Sequence, residues 1–422
     1  MADNVCGEGV PPCKPLPPSA PAGRWRSRDM NRNVAVILFV STLFGLSFGA
    51  YDFVLPFYLA ERGMSYARMG NVFALASASV VLVRVVMGRL SDVWGRKGFY
   101  SVGLIGSAAA NALTPLAATV PGLAALKALR EAAALTRDTM QSVLLYAENK
   151  KSFLTFIGKS RGLETLSQAG GTLVAGLLIA AWGSPKLFFA AGALALLAYF
   201  VFAALFHERP DPGDEQMAPA ETNIFSFDLS PELRIVTLTA TLVMLGVSIS
   251  HCFIMPLFFA RKFGADERLV GVVLTLHRLA FAASLLLFSG RLGRYNQKNL
   301  FMLCVGVQGL TTVLAAVIPH FWASALVWLL HDLLGAGVWS PIQSTLVQVY
   351  SRDASRGLDV GKSLALSSLG GIAGPYIAGM LAPISISAPF LASGIVTMVA
   401  APMLLPLQVE NHVVVNGGEP LE

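Results

Sequence analysis

Long uninterrupted apolar stretches, recurring from Val34 almost to the C-terminus, restrict this chain more than any other feature. A window of about 19 residues picks out twelve, centred near Phe44, Val80, Ala108, Ala134, Val174, Ala195, Leu245, Ala282, Val307, Leu330, Ile372 and Thr397. A helix of about 20 apolar residues crosses the ~30 Å hydrocarbon core of a bilayer. Within lipid every backbone N–H and C=O must find its partner inside the chain, so only helices or closed barrels can span it. Barrel strands alternate with a period of two, and these stretches do not. Composition removes the water-soluble alternative: with 55% hydrophobic and 13% charged residues, the chain has too little polar surface to cover a core of this size. The expected fold is an all-α membrane protein of twelve transmembrane helices, with the lipid bilayer as its first partner.

Lysine and arginine placement orients the spans. Connections assigned to the cytoplasm carry Arg24, Arg26, Arg28, Arg32, Arg89, Arg96, Lys97, Lys150, Lys151, Arg291, Arg294, Lys298, Arg352 and Arg356, among others. The opposite connections hold Arg62, Arg68, Lys186, Arg261, Lys262 and Arg268. The excess puts both termini on the cytoplasmic side. The net charge of +6 is therefore a topology signal, and without basic runs interleaved with exposed aromatics nucleic acid is not an expected partner. Cys6 and Cys13 lie in a proline-rich leader and Cys252 and Cys304 inside spans, so neither a disulfide framework nor a zinc site is indicated, and no cofactor is expected. The leader, rich in proline and without an apolar core, reads as a disordered tail. It does not read as a cleavable signal peptide, because the first apolar stretch starts only near Val34 and is too long for that role.

The chain also repeats itself. Asp52-Phe-Val-Leu-Pro56 reads against Cys252-Phe-Ile-Met-Pro256, Gly88-Arg-Leu90 against Gly290-Arg-Leu292, and Gln141-Ser142 against Gln343-Ser344. Gly158-Lys-Ser160 matches Gly361-Lys-Ser363, and Gly171 and Gly176 match Gly374 and Gly379. Duplication of a six-helix unit accounts for this spacing. The expected organisation is a cytoplasmic tail (1–33), a six-helix bundle (34–206), an acidic cytoplasmic linker (207–233), a second pseudo-symmetric bundle (234–408) and a short tail (409–422).

Between the second and third stretches lies Gly88-Arg-Leu-Ser-Asp92-Val-Trp-Gly95-Arg96-Lys97, which predicts a tight turn at a membrane surface. With Gly88, Asp92, Gly95, Arg96 and Lys97 in place, the run resembles the loop between helices 2 and 3 of the major facilitator superfamily, although Val93 replaces a usual basic residue. That resemblance covers nearly the whole chain. It implies two six-helix halves with a substrate site between them, and a gating role for this loop, Asp92 capping the eleventh span near Gly361. The second copy has Arg294 where the first has Asp92. Leu126-x-x-x-Arg130 resembles the family's helix-4 arginine motif, and Gly370-x-x-x-Gly374-Pro375-x-x-Ala378-Gly379 resembles an antiporter motif that belongs to helix 5 there. Close helix packing through Gly171, Gly176, Gly374, Pro375 and Gly379 explains both small-residue patterns without a coupling role.

Ionisable groups in the middle of a span cost about 2.5–3.5 kcal/mol each on insertion scales, so each asks for a reason. The fourth span carries Lys127, Arg130, Glu131, Arg137 and Asp138, with Arg130, Arg137 and Gln141 on one stripe. Asp52, one turn before Pro56, leads the proton-coupling candidates, followed by Asp138, Glu131 and Glu164. Arg130, Arg137, Gln141, His251, His331, Asp332 and Gln343 are expected to face a substrate cavity. His251, His331 and Asp332, near Cys252 and Met255, also allow a transition-metal path, with iron as an example.

The expected function is secondary active transport of a small solute or ion by rocker-switch alternating access, coupled to protons and sufficient as a monomer. The resemblance makes it a permease or antiporter. Gly158-Lys-Ser160 lacks the upstream glycine of an ATP-binding loop, and no hydrolytic constellation has recognisable spacing, so an enzyme is not expected. Two alternatives stand: a transition-metal permease of the same fold, and a transport-inactive sensor or assembly partner. Short loops suggest a bacterial cytoplasmic membrane or one derived from it.

Overall fold

Backbone hydrogen bonds that cannot be left to lipid are satisfied by helices throughout the described residues, which in this computed structural model are 32–94, 96–148, 153–207, 228–288, 292, 295–352 and 356–407. The first half comprises α1 (Arg32–Glu61), α2 (Tyr66–Trp94), α3 (Arg96–Leu113), α4 (Val120–Glu148), α5 (Phe153–Trp182) and α6 (Ser184–Leu205). The second comprises α7 (Pro231–Ser250), α8 (Ile254–Phe263), α9 (Glu267–Phe288), α10 (Gln297–Val317), α11 (Phe321–Leu330), α12 (Gly337–Tyr350), α13 (Arg356–Leu381) and α14 (Ala388–Ala400). Among the described residues, 9 helices are long and apolar enough to cross a membrane. The short α3, the charge-laden α4 and the apolar run Ala388–Leu404 complete the twelve spans.

Two spans are interrupted. The seventh is α7 and α8 joined through His251–Phe253, and the tenth is α11 and α12 joined by a π-helical stretch, His331–Ala336. Pro256 accounts for the first break, since its ring excludes the carbonyl of Cys252 and it has no N–H to offer. Pro56 does the same to Asp52 inside α1, but there the helix continues. The ends are set locally: Ser230 Oγ accepts from Leu233 N at the start of α7, with Pro231 at the first helical position, and Asn296 caps α10 through Asn299 N. Gly183, at φ 75°, makes the one-residue reversal between α5 and α6.

Three buried apolar clusters order the bundle along the membrane normal. At the end where Arg32 lies, one cluster around Phe44, Tyr100, Leu145 and Phe202 draws only on α1–α6. A second, around Val236, Phe301, Trp339 and Leu404, draws only on the second half. At the Glu61 end a single cluster fuses both halves, joining Val54, Tyr58 and Phe188 to Phe253, Phe258, Trp328 and Phe390. The halves meet through α2 against α13 and α5 against α9. Gly379 lies against Tyr66 and Gly70, and Gly176 against Gly271, so these two glycines pack between halves. Gly171 lies against Leu46 and Gly374 against Ser248, so this second repeat-related pair packs within halves. A β-carbon would meet backbone at all four, which is what permits the close approach.

Boundaries differ from the expectation in one instructive place. α2 runs on through Trp94 and α3 starts at Arg96, so Gly88 and Asp92, expected in the turn, are helical backbone, and Gly95 lies outside the described residues. A helix that continues keeps its hydrogen bonds closed as it leaves the apolar region, and Arg89 to Asp92 contain no breaker to stop it. Lys97 Nζ donates to Phe206 O at 2.9 Å, tying α3 to the end of α6. Helices also begin slightly earlier than expected, at Arg32 and Pro231. Residues 1–31, most of the linker (208–227), Gly290, Arg294 and 408–422 lie outside the described residues. On the same end of the second half, Arg352 binds Asp359 at 2.8 Å and Asp228 at 3.1 Å, closing the corner between α12 and α13. Hydrogen bonds to Asp359, then to Asp228, hold the Arg352 guanidinium above its ordinary pKa.

Candidate functional site

Among the described residues the halves share a core only at the Glu61 end, and a space is left between them at mid-span. A cavity of about 350 Å³ occupies it, and α1, α2, α4, α5, α7, α9 and α13 all contribute to its wall. Phe48, Phe53, Phe73, Met244 and Met255 supply apolar surface. Asp52, Glu131, Lys127 and Arg278 supply two charges of each sign. Each charge has a partner, as burial at membrane depth requires. Arg278 donates to Asp52 Oδ2 at 3.2 Å and to Gln168 Oε1 at 2.6 Å. Since Asp52 is on α1 and Arg278 on α9, this ion pair connects the two halves across the cavity. Lys127 stands 3.8 Å from Asp52 and 2.7 Å from Glu131, and Arg130 reaches Glu131 at 2.6 Å. Arg130 is itself sandwiched on Phe48, 3.7 Å from the ring centre, and Tyr51 at 4.6 Å.

Toward the Arg32 end, a second polar assembly lies wholly inside the first half. Arg137 is fully buried and forms a bidentate pair with Glu164 (3.0 and 3.1 Å), with further bonds to Asp138 (2.5 Å), Gln141 (2.6 Å) and Ser41 (3.2 Å). Gln141 donates to Ser160 at 2.7 Å, Tyr100 donates to Gln141, and Arg161 holds the outer oxygen of Asp138. The guanidinium also stacks on Phe44 at 4.1 Å. Four helices, α1, α3, α4 and α5, are locked by this one side chain.

A third assembly sits in the second half. His251 at the break of the seventh span, His277 on α9, and His331 and Asp332 in the π stretch bring their donor atoms within 4.8 Å of one another. His251 Nε2 and His331 Nε2 are 2.7 Å apart, and His277 Nε2 is 2.8 Å from Asp332 Oδ2. The second approach is close but badly aligned, so His277 Nε2 and Asp332 Oδ2 both remain without a hydrogen bond. Trp328 stacks on His277 with ring centres 4.4 Å apart.

The expected site residues therefore divide among these places. Asp52, Glu131 and His251 face the cavity. Arg130, Arg137, Gln141, His331, Asp332 and Gln343, expected to face it, are not among its lining residues. Of these, Arg137 and Gln141 form the first-half lock, and Arg130 lies behind Glu131. His331 and Asp332 belong to the histidine assembly, and Gln343 is on α12 with its amide oxygen buried and unpartnered. Glu164 and Asp138, expected as proton sites, are the acids of the lock. The helical stripe from Arg130 to Gln141 is real but points into the bundle of the first half, because its acids are on α4 and α5. Lys127, Arg278 and His277 stand out in the sequence as ionisable groups within spans, but no place among the site residues is expected of them. A lysine one turn before Glu131, and a His-Arg pair in mid-span, are the signals that mark them.

The sequence profile described as Major Facilitator Superfamily matches residues 37–249 and again 236–421. Multidrug resistance protein 2 of Bacillus subtilis (strain 168) is 23% identical over 390 residues, covering 89% of this chain and 95% of that protein. The class H tetracycline resistance protein of Pasteurella multocida is 22% identical over 361 residues, covering 82% and 88%. A crystal structure of the nucleoside transporter NupG superimposes with a TM-score of 0.74 at 14% identity, covering 90% of this chain and 99% of that one.

Proposed function

Since the chain belongs to the Major Facilitator Superfamily, we propose that it is a proton-coupled antiporter that exports an amphiphilic organic solute bearing a cationic group. The observation that carries this reading is the ion pair between Asp52 and Arg278, which joins the halves across the cavity. At 3.2 Å and an effective dielectric near 20, its attraction is about 5 kcal/mol before desolvation is subtracted. Asp52 keeps 32% of its side chain exposed, which reduces the net tie to about 1–2 kcal/mol. That still weights a conformational equilibrium about tenfold.

A proton on Asp52 cancels the tie, frees Arg278 from one of its two partners and lets the halves rock about the cavity. A cationic solute acts on the same carboxylate by displacing Arg278 and Lys127, so proton and solute compete for one group. That competition is what makes exchange obligatory. The aromatic and methionine surface receives the apolar part of the solute, and a volume of about 350 Å³ suits a small drug-sized molecule. The two relatives named for multidrug and tetracycline resistance support such a solute class. The lysine and arginine excess supports a cytoplasmic Arg32 end, so that the cavity faces inward in this conformation. Gly88, Asp92, Gly95, Arg96 and Lys97 act as the cytoplasmic gate in this scheme.

Uptake of a fluorescent lipophilic cation into inverted membrane vesicles tests it. Accumulation should follow an imposed pH gradient and collapse with a protonophore. Accumulation that ignores the gradient would remove the coupling.

A further inference from the structure

We propose that His251, His277, His331 and Asp332 bind a resident divalent transition-metal ion, which staples the break in the seventh span to the π stretch of the tenth. The donors come from three spans and converge within 4.8 Å. His331 and Asp332 are buried, and only His251 touches the cavity, so the ion would be enclosed beside the transport path.

Hydrogen-bond chemistry argues for a cation here. His251 Nδ1 faces Val247 O at 3.1 Å, and His331 Nδ1 faces Trp328 O. The Trp328 carbonyl only accepts, which places the His331 proton on Nδ1, while His251 Nδ1 lies between Val247 O and the Ser250 hydroxyl at 2.9 Å, either of which accepts a proton held there. With the His251 proton also on Nδ1, the two Nε2 lone pairs face each other across 2.7 Å, an arrangement that a cation between or beside them relieves. A ring nitrogen donating to a backbone carbonyl while its other nitrogen faces a common centre is the outer-shell pattern of metal-ligating histidine. Asp332 Oδ2 and His277 Nε2, buried and without hydrogen bonds, supply the third and fourth donors. Three imidazoles and one carboxylate suit zinc, cobalt or nickel, and exclude the all-oxygen preference of calcium and magnesium. Bonds of ~2.0–2.1 Å in a tetrahedron need donors roughly 3.3 Å apart, so the 2.7 and 2.8 Å pairs spread by about half an ångström while the widest pairs, up to 4.8 Å apart, close in. Trp328, stacked on His277, covers one side of the site.

The site does not depend on Asp52 or on the transport reading. Tag-free full-length protein in detergent, stripped with a chelator and dialysed against Co²⁺, provides the test. One Co²⁺ per chain with the visible absorption of a four-coordinate ion is expected. His277→Gln and His331→Gln should each weaken binding at least ~10–100-fold, the loss that even an outer-shell partner brings, while His320→Gln on an exposed turn changes nothing. Should His331→Gln fail to elute as a monodisperse species, His277→Gln decides the matter. No bound cobalt, or equal binding by native protein and His277→Gln, would overturn the site in favour of a proton shared between His251 and His331. Time-dependent accumulation of ⁶⁵Zn²⁺ in proteoliposomes would overturn residence and make the ion a cargo.

Discussion

Closure of the Glu61 end depends on two places where backbone meets backbone across the halves, and a single methyl group at either should force that end apart. A β-carbon at Gly379 would sit 2.7 Å from Tyr66 O, and one at Gly176 would sit 2.9 Å from Gly271 Cα. Neither neighbour is a flexible side chain that can swing aside. Added methyls in close-packed interiors cost about 1–3 kcal/mol. Here the cost falls only on the conformation in which the halves touch at this end, so Gly379→Ala or Gly176→Ala should shift the open-to-closed ratio about 5–150-fold. The two sites lie on different helix pairs, and the double variant should add their effects. A cysteine placed at Leu257, 1% exposed within the shared core, reports opening in a background free of native cysteines. A membrane-impermeant maleimide applied from the Glu61 side should label it faster in both glycine variants. Gly171→Ala and Gly374→Ala, which crowd contacts within a half, should reduce stability without raising that labelling. Unchanged labelling in Gly379→Ala, or an equal rise in Gly374→Ala, would refute the idea that these glycines hold the closed end.

Other consequences follow from the charged assemblies. Arg137→Ala leaves Glu164 buried without its bidentate partner and should cost about 3–5 kcal/mol, seen as a lower unfolding temperature in detergent; Arg137→Lys should recover only part, because an ammonium cannot fork. A native-like unfolding temperature for Arg137→Ala would show that the lock contributes little. Arg278→Gln leaves Asp52 only the 3.8 Å contact to Lys127, so a cationic solute should bind up to about tenfold tighter while turnover slows; weaker binding would contradict competition for Asp52. Arg352→Ala should speed amide exchange at the start of α13, where Asp359 is held. The raised pKa of Arg352 means its contribution is complete below the usual arginine value and persists as pH rises, so the native corner should show no loss of protection up to mildly alkaline pH. A loss of protection near pH 8 would contradict that sign.

How much of this was legible in the sequence depended on what kind of signal was involved. Span number, the internal repeat and the family resemblance come from hydropathy and spacing, which the bilayer enforces strictly, and the helices follow them. Two interruptions escaped detection because the cues were ambiguous. Pro56 and Pro256 occupy the same repeat position, yet one helix continues and the other breaks. No residue pattern announces the π stretch at His331–Ala336. Asp52 and Glu131 could be singled out as intramembrane acids and do face the cavity. Arg137 and Gln141 lie on a correctly identified stripe, but periodicity gives a face without saying which neighbour covers it. That neighbour is Glu164 on α5. Arg278 gains its meaning only from Asp52, more than half the chain away, a contact that no local pattern encodes.

Proton movement decides whether Asp52 is the coupling group. Protein in liposomes carrying an internal pH dye should release or take up protons when a lipophilic amine is added, and Asp52→Asn should abolish that proton movement and weaken binding of the amine. Solute-driven proton flux that survives in Asp52→Asn would contradict the central claim and move the coupling site off α1.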